Sequence, residues 1–142
     1  MATILVVDDE PTIRHLLRIT LGPDHRIDEA GDGDEALRRM RMDCPDLVLL
    51  DVAMPIMDGL AVCRAARAEP SLAGVGIIVV SAYAAEHDAI AAGADRFLRK
   101  PFSPLALLGM IDELLALRRA AAPAPRMGTS RIVSTDERGG IA

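Results

Sequence analysis

Residues Leu47 to Leu50 form an unbroken apolar run that stops at Asp51, and the runs ending at Val7 and Val80 repeat the pattern, stopping at Asp8 and Ser81. A continuous apolar run of four or five residues fits a strand buried on both faces, the condition of a parallel sheet covered by helices. Segments of helical period separate these runs. That alternation restricts the chain to the α/β class, with five successive strand-then-helix units.

The units are as follows. Thr3 to Val7 reads as the first strand. Pro11 then opens a helix with Ile13, Leu16, Leu17 and Leu21 on one face, ended by Gly22-Pro23. Arg26 to Ala30 is a weaker strand, since only Ile27 and Ala30 are apolar. Asp34 to Met42 reads as a helix with Ala36, Leu37 and Met40 inward, broken at Cys44-Pro45. After the Leu47 to Leu50 strand, Gly59 to Ala68 is helical, with Leu60, Cys63 and Ala66 or Arg67 spaced along it, and Glu69-Pro70 closes it. Ile77 to Val80 is the fourth strand, Glu86 to Ala92 a short helix, and Arg96 to Arg99 a short strand. Ser103 caps and Pro104 starts a last helix to Leu117, with Leu105, Leu108, Ile111 and Leu115 expected toward the sheet.

Composition bounds the rest. The 142 residues suffice for one domain, and 51% apolar with 26% charged residues excludes disorder for the bulk of the chain. Residues 1–118 are read as that domain. Residues 119–142 turn to Ala, Pro, Gly, Ser, Thr and Arg without a periodic apolar face, and are read as a disordered tail. Aromatics amount to 2% and the formal net charge is -5, which argues against direct nucleic-acid contact by stacking or by phosphate neutralisation. No apolar stretch has membrane-spanning length and the N-terminus has no basic, leader-like start, so neither membrane contact nor export is expected. Cys44 and Cys63 lack metal or disulfide spacing and are read as small core residues of a reduced, cytoplasmic chain.

Ligands of open parallel sheets bind beyond the C-terminal strand ends. Those ends here carry Asp8-Asp9, Asp51, Ser81 and Lys100. Two carboxylates about 4 Å apart repel by about 4 kcal/mol at an effective dielectric near 20, so such a cluster calls for a cation. Oxygen-only ligation by few carboxylates suits Mg²⁺. Fifteen of the 16 basic residues are Arg, and Lys100 is the one lysine, a compact point charge able to contact carboxylate and phosphoryl oxygens alike. Taken singly, Asp8, Asp9 and Glu10 are ordinary acids at the positive end of a helix, and Asp51 is an acid ending a strand. Their joint placement at successive strand ends is what points to chemistry.

Asp8-Asp9 after Ile4-Leu-Val-Val, the run Asp51-Val-Ala-Met-Pro-Ile-Met-Asp-Gly, Ser81-Ala82 and Lys100-Pro101-Phe102 together resemble the receiver domain of two-component response regulators, over Thr3 to about Leu117. The resemblance implies a flavodoxin-like (βα)5 fold, doubly wound, with strand order 2-1-3-4-5. It implies a switch rather than an enzyme acting on a separate substrate; with no helix-turn-helix or enzymatic output segment read after Leu117, a single-domain, stand-alone receiver, or one whose output lies in another chain, is expected. Asp51 would accept a phosphoryl group from a sensor histidine kinase or phosphotransfer protein. Asp8, Asp9, Asp51 and the backbone carbonyl of Ala53 would hold Mg²⁺, and Lys100 would offset phosphoryl charge. Ser81 would bind the new phosphoryl group and Phe97 would be the aromatic that turns inward with it. Lys100-Pro101 is expected to be cis. A downstream protein target is implied, and a homodimer is open. A phosphatase of the haloacid dehalogenase type is disfavoured because its second acid falls on Ala53, and a nucleotide-binding switch because no Gly-rich phosphate loop is present. A phosphorylation-independent interaction module remains the alternative.

Two departures matter. Only nineteen positions separate Ser81 from Lys100, fewer than the resemblance leads one to expect, so the fourth helix or the loop before it is shortened. Ala53 offers no polar group to position water, and Tyr83 is expected to screen the phosphoryl group, so the phosphorylated form is expected to be long-lived.

Overall fold

The computed structural model describes residues 2–54, 57–84 and 86–121. Pro55, Ile56 and the expected tail from 122 onward lie outside the described residues. The elements are β1 (Thr3–Val7), α1 (Pro11–Leu21), β2 (Arg26–Ala30), α2 (Gly33–Asp43), β3 (Leu47–Asp51), α3 (Gly59–Ala68), a 3-10 turn (Pro70–Leu72), β4 (Gly76–Ser81), α4 (Glu86–Ala91), β5 (Arg96–Arg99) and α5 (Pro104–Ala121). All strand pairings are parallel, in the order β2-β1-β3-β4-β5. No helix among the described residues is long and apolar enough to cross a membrane.

Strand alternation divides the core into two layers. Leu5, Val7, Val48, Leu50, Ile77 and Val79 pack against α2, α3 and α4, where Met40, Val62, Cys63 and Ala89 are buried. Ile4, Val6, Leu47, Leu49, Ile78 and Val80 pack against α1 and α5 through Leu17, Leu21, Leu107, Ile111 and Leu114. Each such side chain, fully buried, contributes about 1.5 to 3 kcal/mol from apolar transfer. The helices start where acids can take their free amides: Asp32 accepts from the Glu35 amide at 2.8 Å and Asp58 from the Ala61 amide at 2.8 Å. Ser103 accepts from the amides of Leu105 and Ala106 and caps α5, as its sequence position indicates.

Several expectations are corrected. Leu105 is 79% exposed, and Leu107 and Leu114 take the inward positions beside Ile111 and Leu115. Leucine occurs all round α5, so its period leaves the helix's rotation open, and contact with the sheet sets it. Leu16 is 57% exposed for a related reason: Ile13, Leu17 and Leu21 recur every four residues, and Leu16 lies to one side of their stripe. Cys44 is not a core residue. It is exposed at the C-cap of α2 with φ 44°, the left-handed conformation in which helices commonly end, whereas Cys63 is fully buried. The Glu69-Pro70 stop is followed by one 3-10 turn, and α5 runs past Leu117 to Ala121.

The short α4, six residues, is joined to β5 by a clamp from α3. The Arg67 guanidinium donates to the carbonyls of Gly93 at 2.8 Å, Ala73 at 2.9 Å and Val75 at 2.6 Å, and pairs with Asp95 at 2.8 Å. Gly93 has φ +111°, and a Cβ there would lie 2.5 Å from Arg67 Cγ. A glycine is required for that approach.

Candidate functional site

β1 and β3 are neighbours in the sheet, so their ends bring Asp8, Asp9 and Asp51 together. One carboxylate oxygen from each lies within 4.8 Å of the others. Asp8 and Asp51 are buried and Asp9 is exposed, which leaves the trio open to solvent on one side. Lys100, at the end of β5, reaches back with Nζ at 3.2 Å from Asp51 Oδ1 and 3.4 Å from Asp8 Oδ2. The Lys100–Pro101 peptide is cis, as expected. Ser81 ends β4, buried, and its Oγ accepts from the amides of Tyr83 at 3.2 Å and Ala84 at 2.9 Å. An open cleft of about 460 Å³ runs over these groups, lined by Asp9, Asp51, Ala53, Ser81, Tyr83 and Lys100 among others.

The electrostatics follow from this crowding. Burial, then the neighbouring Asp8 charge, pushes the Asp51 carboxyl above the ordinary carboxylate range, and Lys100 only partly offsets them. Burial acts to lower the Lys100 ammonium's pKa, but Asp51 and Asp8 outweigh it and the net direction is upward. Lys100 therefore stays protonated. One ammonium against three carboxylates leaves the site short of positive charge, and the donors are all hard oxygens. Both observations fit a divalent cation of the Mg²⁺ class at Asp8, Asp9 and Asp51.

The predicted residues are gathered unequally. Ala53 is exposed beside the cleft. Phe97 is half-buried against the α3 and α4 layer, on the same face of the sheet as Ser81, two residues before the register partner of Ser81. Tyr83 is 93% exposed at the rim of the cleft that Asp51 also lines. Three neighbours escaped sequence reasoning. Arg14 donates to the Asp8 carbonyl at 2.6 Å and is held by Glu29, which Arg18 also grips at 2.7 Å. The Arg14 and Arg18 spacing of four was readable, but their acid lies on β2, whose place beside β1 is a tertiary fact. Gly59 starts α3 so close to β3 that a Cβ would lie 2.2 Å from the Asp51 carbonyl. Arg99 holds the loop after β4 through the carbonyls of Ala82 and Ala84.

An open, all-parallel, doubly wound sheet with two buried acids, one exposed acid and an ammonium past its strand ends defines an α/β protein of flavodoxin-like topology with an acidic strand-end site. The chain belongs to the response regulator receiver domain family, whose model matches residues 4–112. It is a two-component signal-transduction domain, a switch rather than a conventional enzyme. It is 36% identical over 128 residues to the alkaline phosphatase synthesis transcriptional regulatory protein PhoP of Bacillus subtilis, covering 87% of this chain and 52% of that protein. It is 40% identical over 112 residues to the DNA-binding response regulator MtrA of Mycolicibacterium smegmatis, covering 76% and 48%. Among solved structures it resembles the CheY-like receiver domain protein of Methanospirillum hungatei, with TM-score 0.80 and 27% identity over 86% of this chain and 99% of that one. The chain spans about half the length of the curated relatives it matches. One of these is named for binding DNA, so the expectation of no nucleic-acid partner gains no support from them.

Proposed function

We propose that this chain is a Mg²⁺-dependent phosphoacceptor switch, with Asp51 as the residue phosphorylated by a sensor histidine kinase or a phosphotransfer protein. The observation that carries the reading is the buried Asp51 carboxylate held 3.2 Å from the Lys100 ammonium at the mouth of an open cleft. Asp51 Oδ attacks the phosphorus of a phosphohistidine; an O–P bond forms as the N–P bond breaks, and the imidazole leaves with the electron pair and takes a proton from solvent. Lys100 offsets the charge on the transferring oxygens from a position already set before the reaction. Asp8, Asp9, Asp51 and the Ala53 carbonyl are the groups that would hold the cation. What Mg²⁺ supplies when bound is further neutralisation of the phosphoryl oxygens. The Ser81 hydroxyl donates a hydrogen bond to the acyl phosphate, and Phe97 follows the loop inward.

Phosphorylation replaces about one negative charge by nearly two and adds acceptor oxygens, so a coupling of about 1 to 3 kcal/mol to a partner surface suffices for switching. The partner of the switched face is a downstream protein or a second copy of the chain. The two free cysteines agree with action in a reducing cytoplasm.

Intact-mass measurement after exposure to acetyl phosphate tests this. A gain of one phosphoryl group is expected with Mg²⁺ and not without it, abolished in Asp51→Ala and slowed about 100-fold in Lys100→Ala. No gain in the wild-type chain under any condition overturns the reading in favour of a phosphorylation-independent interaction module.

A further inference from the structure

The loop that walls the Asp51 cleft is held by a residue the phosphoacceptor chemistry does not use. Arg99 ends β5, and its Cα pairs in register with Ser81 at the end of β4. Alternation along the strands puts Ser81, Phe97 and Arg99 on one face of the sheet. From there Arg99 Nη1 donates to the carbonyls of Ala82 at 3.2 Å and Ala84 at 2.8 Å. Its guanidinium carbon lies 4.8 Å from the centroid of the Phe97 ring. One side chain therefore grips the backbone on both sides of Tyr83 and also covers the half-buried aromatic. Among the described residues no carboxylate lies within 4 Å of it, so its bonding is committed to the loop and the ring.

The loop is thus tied twice, through its amides to Ser81 Oγ and through its carbonyls to Arg99. The two ties respond differently to a phosphoryl group on Asp51. The amide tie travels with the Ser81 hydroxyl when that hydroxyl turns to the new oxygens. The carbonyl tie does not, because Arg99 is anchored on β5, whose end is fixed to β4 by the Lys100 amide donating to the Ser81 carbonyl at 2.9 Å. A displacement of Ala82 to Ala84 toward Asp51 would part them from Arg99, and an inward turn of Phe97 would take the ring from beneath the guanidinium.

We propose that Arg99 is a latch, a positioning residue that holds the loop after β4 and the Phe97 ring in the phosphoryl-free arrangement, and whose release is part of the cost of switching. The proposal rests on Asp51 being the phosphoacceptor and names the regulation of that same site. Arginine suits the task because one guanidinium nitrogen donates to both carbonyls while the flat, delocalised face lies over the ring, and a lysine ammonium offers no such face.

The full 142-residue chain is compared with Arg99→Met and Arg99→Lys by amide hydrogen exchange over the loop and by titration with beryllium fluoride in the presence of Mg²⁺. Tyr83 is the only tyrosine and there is no tryptophan, so tyrosine emission reports on this loop alone. In Arg99→Met the Tyr83 and Ala84 amides exchange about fivefold faster in the free protein, and beryllium fluoride binds about fivefold more tightly; Arg99→Lys falls between it and wild type. The gain in affinity separates a latch from a merely structural residue, since loosening a preformed site weakens its hold on an anion. Unchanged loop exchange, or beryllium fluoride binding that is unchanged or weaker in both variants, overturns the proposal. A wild-type chain that neither binds beryllium fluoride nor gains a phosphoryl group from acetyl phosphate instead defeats the phosphoacceptor reading, and the loop exchange still decides whether Arg99 restrains the loop.

Discussion

Asp51 is costly to the fold that displays it. Buried beside Asp8 and only partly offset by Lys100, its carboxyl is held above the ordinary range, so its charge destabilises the native state. That destabilisation is complete above the raised native pKa and vanishes as pH falls toward the unfolded value of 3.8. In metal-free buffer at neutral pH, Asp51→Asn is expected to raise stability by about 1 kcal/mol, or about 4 °C in thermal midpoint, with the gain lost on acidification. Lys100→Met leaves the acids uncompensated and is expected to cost about 2 kcal/mol, less than a fully buried pair because Lys100 remains partly exposed. Glu29 has the opposite sign: burial raises its pKa, but Arg18 and Arg14 outweigh burial and hold it low. Its contribution is therefore full above its unfolded pKa near 4.5 and lost as pH falls through the lower native value. Urea denaturation of wild type and Glu29→Gln should differ by a constant amount above about pH 5 and converge in acid. Asp8, Asp51 and Lys100 stood out in the sequence because they stand at strand ends. Arg14 and Glu29 were not, since neither means anything until β2 lies beside β1.

At the scale of the element, boundaries were legible wherever a breaker or cap marks them. Pro11 and Ser103 start helices where their chemistry says they should, and Gly22 ends one, whereas the Asp58 cap of α3 emerged only in the structure. Rotation about the helix axis was less legible. In α5 the leucines surround the helix, and only the sheet beneath selects Leu107 over Leu105. Leu107→Ala is expected to cost about 3 kcal/mol and Leu105→Ala less than about 0.5 kcal/mol, measured by denaturant midpoint at unchanged slope. Comparable losses for both would mean that α5 packs with a different face. The short span that holds α4 was visible as a count of residues between Ser81 and Lys100. The Arg67 clamp on Gly93, Val75 and Asp95 ties that span to α3, and its partners lie too far apart in the chain to leave a local signature.

For the whole molecule, the acidic trio predicts that cation binding and folding are linked. Mg²⁺ at 100 times its dissociation constant should add about 2.7 kcal/mol to wild-type stability, read as a rise in thermal midpoint, and Asp8→Asn with Asp9→Asn should abolish the rise. A rise that persists in the double variant would place the cation elsewhere. The sequence by itself determined the α/β class and the succession of strands and helices, because buried strands and amphipathic helices impose periods that a linear reading detects. It also determined which polar residues stand at strand ends. The strand order followed from the family resemblance, not from the periods. The tertiary structure alone decided which of those ends converge within hydrogen-bonding distance, which face of α5 is buried, and that Arg99 spans the loop to Phe97. These depend on register and on packing between elements distant in sequence, and a contact between residues 82 and 99 leaves no periodic trace in the chain.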